Sequence, residues 1–384
     1  MSGPRIKHRR NRSLSGSFDN DCKKEGAMLQ REALTDQVLQ NCTISDSQYA
    51  GVYSICGLAL RLRDLYKWEK GLDPWVERDS SEVLTWIGDK EEAWDTLTER
   101  ELNKIEINGS KYDPFDTTGI NSALAKDGLF YGAGYALSLK PTFVLADLES
   151  KKNIDGYKVY ILGRELARDL FTVPALTQDD HVVIRKETAR NHLWDHMFYV
   201  KESGRRALKF ALEHYGLTEQ HPGTLHRHLA RISAAETETY IYHELGEIQD
   251  TVFNRDIWRE IIAAFPRTPV ELLSRTVKDL LADTNEYGRF QYITRKRKTA
   301  SLALYVAFYE GLTKVMFPEL IEAFQEFMET HNWRVIDQAV SVGYNTAKQY
   351  AETICSIYRT GKQKNDKKWA EDEIANRLLK PLGV

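Results

Sequence analysis

The chain has 384 residues, 42% of them apolar and 28% charged, a globular balance with length for two or three domains. Lys plus Arg number 53 against 56 Asp plus Glu, a net charge of −3, so no overall field draws the protein to nucleic acid or an anionic membrane. No run approaches the roughly 18 apolar residues of a membrane-spanning helix, and the composition excludes disordered, collagenous and disulfide-stapled classes.

Residues 1–27 combine Arg, Lys, Ser, Gly and Asn with almost nothing to bury, and are expected to form a disordered basic tail. Without an apolar stretch this segment does not read as a secretion signal. Translation from Met28 would remove it without touching the fold, and a nucleic-acid-binding arm is the minor alternative. The region 28–128 reads as helical. One helix is expected from Leu29 to Leu39 and another from Ser47 to Lys70, capped by Ser45 or Asp46, with Tyr49, Val52, Tyr53, Cys56, Leu60 and Leu65 as its apolar stripe. Gly71 and Asp73-Pro74 end it. Shorter helices follow over 79–87 and 90–104, and 106–127 reads as loop.

The stretch 129–185 changes character. Thr142–Ala146 and Tyr157–Leu162 are β-branched and aromatic runs around Asn153-Ile154-Asp155-Gly156, which predicts a hairpin. Val182–Ile184 predicts a third strand, and Arg164–Phe171 a short helix. Gly132-Ala133-Gly134 lacks the length and the acidic partner of a nucleotide loop, so there is no nucleotide-cofactor signature. From 186 to 384 the pattern predicts a helical domain: 187–201, 204–215, 221–255, 256–264, 269–283, 298–330, 333–360 and 367–379, with Tyr287–Ile293 as an interrupting loop. The fold class is therefore mostly α, a multi-helix body with a small antiparallel β insertion, with α+β as the alternative.

The cysteines, Cys22, Cys42, Cys56 and Cys355, have neither zinc-knuckle nor redox-pair spacing, which points to a reducing, cytoplasmic setting. Eight of the ten histidines fall between His181 and His243. His192, Asp195, His196 and Tyr199 share one helical arc opposite Leu193, Trp194 and Met197. Glu236, Tyr240, His243, Glu247 and Asp250 share another, on a helix where no Lys or Arg lies between Arg231 and Arg255.

Carboxylates and imidazoles on facing helices are how helical bundles hold iron or manganese. If the two arcs face, Glu236, His243, Glu247, His192 and His196 form a ligand set for non-haem Fe or Mn, with Zn as the alternative. His243-Glu244-Leu245-Gly246-Glu247 also approaches the H-E-x-x-H helix of zinc peptidases, but Glu247 stands where the second histidine belongs. Against both stands the ordinary solvated face, its acids paired with Arg205, Arg206 or the run Arg295-Lys296-Arg297-Lys298. That run is itself an anion or partner patch. Cations before a helix start are unfavourable and call for an anionic partner, and Arg289, Phe290 and Tyr292 lie close in sequence.

The runs Tyr49–Leu58, Leu62–Glu69, Tyr131–Tyr135 with Lys140–Phe143, Leu162–Asp169 and Glu238–Glu247 resemble an uncharacterised family from sulfate-reducing and related bacteria. The resemblance covers about 28–360. It implies a bacterial cytoplasmic protein beginning near Met28, and no particular activity. The leading expectation is a metal-dependent helical enzyme. The alternatives are a non-catalytic helical scaffold that docks a protein partner and, less favoured, a nucleic-acid-binding protein. No membrane partner is expected.

Overall fold

A computed structural model describes residues 15–217 and 222–383. Residues 1–14 of the expected tail lie outside the described residues. From Ser15 the backbone is already in the first helix, α1 (Ser15–Tyr49), so the segment expected to lack structure is helical over its second half. The expected helix from Ser47 to Lys70 is two elements. α1 ends at Tyr49, a short 3-10 turn follows, and α2 (Ile55–Glu69) starts from Ser54, whose side chain caps the Gly57 N–H. The rotation this break introduces puts Leu62, Leu65 and Tyr66 in the core and leaves Cys56 and Leu60 of the expected stripe exposed. Next comes α3 (Ser80–Asp95), a single helix capped by Asp79. The expected loop 106–127 instead holds the hairpin of β1 (Ile105–Ile107) and β2 (Ser110–Tyr112), then α4 (Thr117–Ala123).

The β part is larger than a small insertion. β3 (Leu129–Tyr135), β4 (Pro141–Ile154), β5 (Tyr157–Arg168), β6 (Ala175–Gln178) and β7 (His181–Arg185) form one sheet in the order β3-β4-β5-β7-β6. It is not purely antiparallel, because β5 and β7 run parallel. The predicted hairpin forms as expected, with Asp155 (φ 50°) and Gly156 (φ 89°) at the turn of β4 and β5, the backbone that Asp-Gly supplies most easily. The helix expected at Arg164–Phe171 is absent: Gly163 to Arg168 continue β5 against β4. Helix formers are overruled there by two buried ion groups that need an extended chain.

In the first group, Arg185 at the end of β7 grips Glu165 through two hydrogen bonds, Nε–Oε1 2.8 Å and Nη2–Oε2 2.9 Å. Thr188, in the first turn of α5 (Lys186–Phe198), donates to the same carboxylate at 2.8 Å. Arg168 lies 3.8 Å from Glu165, and its remaining hydrogen bond runs from Nη2 to the Asp64 carbonyl at 3.0 Å. The second group is Lys140, fully buried, 3.0 Å from Asp46 and 3.5 Å from Asp169. Asp46 and Ser45, expected as helix caps, serve this lysine instead.

Beyond α5 come α6 (Glu202–His214), α7 (Pro222–Gln249), α8 (Arg255–Ala264), α9 (Pro269–Thr284), α10 (Arg289–Lys296), α11 (Thr299–Ala307), α12 (Gly311–Met316), α13 (Glu319–Thr330), α14 (Trp333–Lys364) and α15 (Lys367–Ile374). Two expectations are corrected. The segment 287–293 is not a loop but mostly α10, and 298–330 is three helices, broken at Gly311 (φ 64°) and before Pro318. Sheet and helices share cores at both ends of the sheet. Leu34 and Val38 of α1 pack with Tyr131, Phe143 and Leu145. Ile241 and Leu245 of α7 pack with Val159, Ile161, Val182 and Ile184. A larger core runs through α5 to α15. Among the described residues no helix is long and apolar enough to cross a membrane.

α7 meets the start of α10 and the end of α9 at glycines. A Cβ on Gly246 would lie 2.1 Å from the Ala282 carbonyl oxygen and 3.0 Å from Gly288 Cα. This contact sets the distance between the helices that carry the site. Gly246→Ala is therefore expected to lower unfolding stability in urea by about 3 kcal/mol or more, since backbone must move. Gly88→Ala on exposed α3, where nothing lies within 4 Å, is expected to raise it by about 0.5–1 kcal/mol. Glu165→Ala leaves two buried guanidiniums without their carboxylate and is expected to cost about 3–5 kcal/mol in the same measurement.

Candidate functional site

The polar arc of α7 is partly buried, with Glu236 5% exposed and the side chains of His243 and Asp250 17% and 2% exposed, and their partners come from other elements. His243 Nδ1 lies 2.7 Å from Asp283 Oδ1 of α9. Asp283 also accepts from Tyr305 OH of α11 at 2.8 Å and sits 3.4 Å from Arg289 Nε of α10. Burial alone would lower the His243 pKa, but the Asp283 charge and hydrogen bond outweigh it and lift the pKa to about 9. Burial raises Asp283 and the charges of Arg289 and His243 more than reverse that, holding it ionised. The His243–Asp283 pair is thus an imidazolium–carboxylate contact at neutral pH.

Most of the other acids of α7 are also engaged. Asp250 pairs with Lys278 of α9 at 3.3 Å, both side chains 2% exposed. Glu244 accepts from Thr177 of β6 at 2.8 Å. Glu238 accepts from Tyr292 OH. Glu236 accepts from Ser301 Oγ at 2.6 Å and from Tyr215 OH. Burial pushes its pKa up against these hydrogen bonds. The predicted pairing with Arg205 is not formed, since Arg205 turns to Glu202 on its own helix.

On α5, His192 and His196 stack with ring centroids 3.9 Å apart, and His196 Nδ1 contacts the His192 carbonyl at 2.8 Å. Burial, then His196 and Arg289, hold the His192 pKa well below its ordinary value, so it is neutral. The other edge of the stack meets Phe308. Of the five residues expected to share a metal, His243 is held by Asp283, Glu236 by Tyr215 and Ser301, and His192 and His196 by one another. Lys278 reaches the Glu247 main-chain carbonyl at 3.3 Å. Among the described residues, no group of three or more His, Cys, Asp or Glu side chains is arranged to hold a metal ion. Asp283, Arg289, Tyr305 and Lys278 were not singled out by the sequence as partners of this arc. Their one visible signal is charge inside apolar runs, as in Leu280-Leu281-Ala282-Asp283.

The basic run is arranged differently. Arg295 and Lys296 occupy the last turn of α10, where the negative end of the helix dipole favours them. Arg297 takes the left-handed conformation (φ 53°) and Lys298 precedes α11. The electrostatic conflict expected at the start of α11 is thus offset by the end of α10. None of the four forms an ion pair with a described carboxylate. Three lie over rings instead: Arg295 6.0 Å from Tyr242, Arg297 5.4 Å from Trp333 and Lys298 5.7 Å from Tyr292. Tyr242 and Tyr292 are themselves stacked at 4.5 Å and 11°. Arg295 and Arg297 stand on the wall of a cleft of about 1030 Å³ between α10 and α14. Asp337, Ser341, Tyr344 and Asn345 of α14 border it, and Phe290 forms part of its lining. The lining is rich in amides and hydroxyls and also carries the carboxylates of Asp250, Glu286 and Asp337. It can hydrogen-bond a polar ligand and offer two guanidiniums to its negative group.

The His243–Asp283 contact makes stability pH-dependent in a defined direction. A raised folded-state pKa contributes fully below the unfolded value near 6.5, declines as pH rises, and is lost above about 9. The stability difference between wild type and His243→Gln, measured by urea unfolding, is expected to be on the order of 3 kcal/mol at pH 6. It should shrink steadily towards pH 9.5. A difference independent of pH would mean that the imidazole is neutral in the folded protein.

Comparison with known proteins adds family membership. The N-terminal domain of a family of unknown function, DUF6866, matches residues 33–185, and the C-terminal domain of the same family matches residues 190–377. No curated protein and no solved structure matches the chain. The junction between the two matched stretches falls where Arg185 ends β7 and α5 begins, beside the Glu165 carboxylate. The chain belongs to the DUF6866 family, carrying its N-terminal and C-terminal domains in sequence.

Proposed function

We propose that the protein binds a polar, negatively charged ligand in the cleft between α10 and α14. The observation that carries this reading is the contrast in charge pairing. The buried ion groups built on Glu165, Asp46, Asp250 and Asp283 are paired within the chain. None of the four consecutive cations Arg295–Lys298 forms an ion pair with a described carboxylate, and two of them line the cleft. Both guanidiniums lie near aromatic rings, and such contact lowers the entropy lost when a carboxylate or phosphate is gripped by two hydrogen bonds. Tyr344 supplies aromatic surface and Ser341 and Asn345 hydrogen-bonding groups along the facing helix. The reading retains the anion patch that the sequence marks at 295–298 and the docking alternative to an enzyme.

Pyrophosphate is the probe that tests the charge chemistry alone. Isothermal titration of the full chain is expected to show saturable binding that weakens as salt rises. Arg295→Glu/Arg297→Glu is expected to weaken it at least tenfold, and Lys126→Glu, on an exposed turn far along the chain, to leave it unchanged. Binding that is absent, or indifferent to the double substitution, overturns the reading.

A further inference from the structure

The cleft does not end at the last turn of α7. Thr251 lines it, and Thr251 also lines a second depression of about 400 Å³ bordered by Glu352, Cys355, Arg359 and Gln363. The α14 residues that border the first hollow, among them Asp337, Ser341 and Tyr344, and those that border the second, Glu352, Ser356, Arg359 and Gln363, follow one slowly drifting face of α14. Together they span roughly 26 residues, about 39 Å of helix at 1.5 Å per residue. The two hollows are parts of one groove along α14.

We infer that this groove takes an extended peptide segment of a partner protein, with an acidic end seated on Arg295 and Arg297. The inference rests on the anion-binding reading above and names the class of ligand. Length is the first argument. An extended chain rises about 3.3 Å per residue, so the groove holds about twelve residues, whereas a compact small molecule would fill only the larger hollow. The second argument is hydrogen bonding. Gln249, Gln291 and Asn345 line the large hollow and Gln363 the small one. Their side-chain amides make no hydrogen bond among the described residues. Each offers a donor and an acceptor, the pair that an extended peptide backbone presents along its length.

Charge is the third argument, and it separates a peptide from a nucleic-acid strand. Glu286 and Asp337 border the large hollow and Glu352 the small one, and none of the three forms an ion pair with a described residue, whereas Asp250 is taken by Lys278. A strand with a negative charge at every step would run against all three. A peptide can place its acids against Arg295 and Arg297 alone and leave neutral or basic residues beside Glu286, Asp337 and Glu352.

Selection of a displayed random dodecapeptide library on the full chain tests this directly. Enriched peptides are expected to carry Asp or Glu clustered at one end. Synthetic dodecamers from the selection should bind at least tenfold tighter than hexamers cut to the acidic end. Thr251→Trp, placed where the two hollows meet, should abolish that gain without changing hexamer binding. Ser356→Trp, in the second hollow alone, should do the same and stands in if the first variant misfolds. Arg295→Glu/Arg297→Glu should weaken both lengths. Equal affinity for both lengths, no acid-ended enrichment, or a dT12 oligonucleotide that outcompetes the dodecamers overturns the inference. Pyrophosphate binding that needs Arg295 and Arg297, alongside peptides without a length gain, overturns the peptide inference alone. Loss of pyrophosphate and peptide binding together overturns the anion-binding reading with it.

Discussion

Glu165 is the carboxylate on which both halves of the chain converge. It receives two hydrogen bonds from Arg185 and one from Thr188, and its own main-chain N–H donates to Glu187 at 2.9 Å. One residue of β5 therefore fixes the end of β7 and the first turn of α5 together. Burial pushes its pKa up, and the two guanidiniums hold it down, so it stays charged. A buried ion group of this kind is weak evidence for stability, since an apolar cluster of the same volume would do as well or better. Its value here is geometric. The pairing fixes the register in which the parallel strands β5 and β7 meet, and an apolar cluster would tolerate a slip. α5 then leans on α7, α7 crosses α9 and α10 at Gly246, and the cleft opens where α10 faces α14.

The same ion group explains why the sequence misleads between Gly163 and Arg168. Arg, Glu, Leu and Ala have high helix propensity, and five consecutive residues from that set read as a helix. In the fold they are a strand. Glu165 and Arg168 bury their charges near each other, a choice that only Arg185, twenty residues downstream of Glu165, makes affordable. The hairpin at Asn153–Gly156 was legible because its signal is local, an Asp-Gly pair between β-branched runs. The broken helix at 50–54 was not, because Tyr49 to Leu60 has an acceptable apolar stripe whether or not it is interrupted. The stripe belongs to two helices of different rotation. In the same way 298–330 carries continuous helical patterning, and only Gly311 and Pro318 betray the breaks. The segment 287–293, expected as an interrupting loop, contains Gly288. It is where α10 begins, placed by close approach to the Ala282 carbonyl.

The site was half legible in the same sense. The single-sign arc of α7 and the histidine pair on α5 were visible as patterns, and the structure packs both partly under neighbouring elements. What a sequence cannot show is which distant group answers each charge. Lys278 for Asp250, Asp283 for His243 and Thr177 for Glu244 are separated from their partners by 28, 40 and 67 residues. A stripe without local countercharge is thus ambiguous. It is a ligand set if the facing elements are silent, and a structural seam if they answer. Here Glu236, His243 and Asp250 are answered by side chains of other elements.

That reasoning also says why the basic run carries more functional information than the richer acidic arc. A buried charge must find a partner, because leaving it alone costs several kcal/mol. Its pairing therefore follows from burial and says little about ligands. An exposed cation is under no such demand. Water solvates it, and chance would scatter such residues among acids, as Lys368 lies among Glu371 and Asp372. Four in succession that form no ion pair with a described acid stand at the mouth of a large polar cleft, in a chain whose acids outnumber its bases. Three of those cations lie near the rings of Tyr242, Trp333 and Tyr292, a contact that narrows their rotamers while leaving their donors free. Surface solubility requires no such restraint. Recognition of a fixed negative group does, since every rotamer frozen in advance is one fewer to freeze on binding.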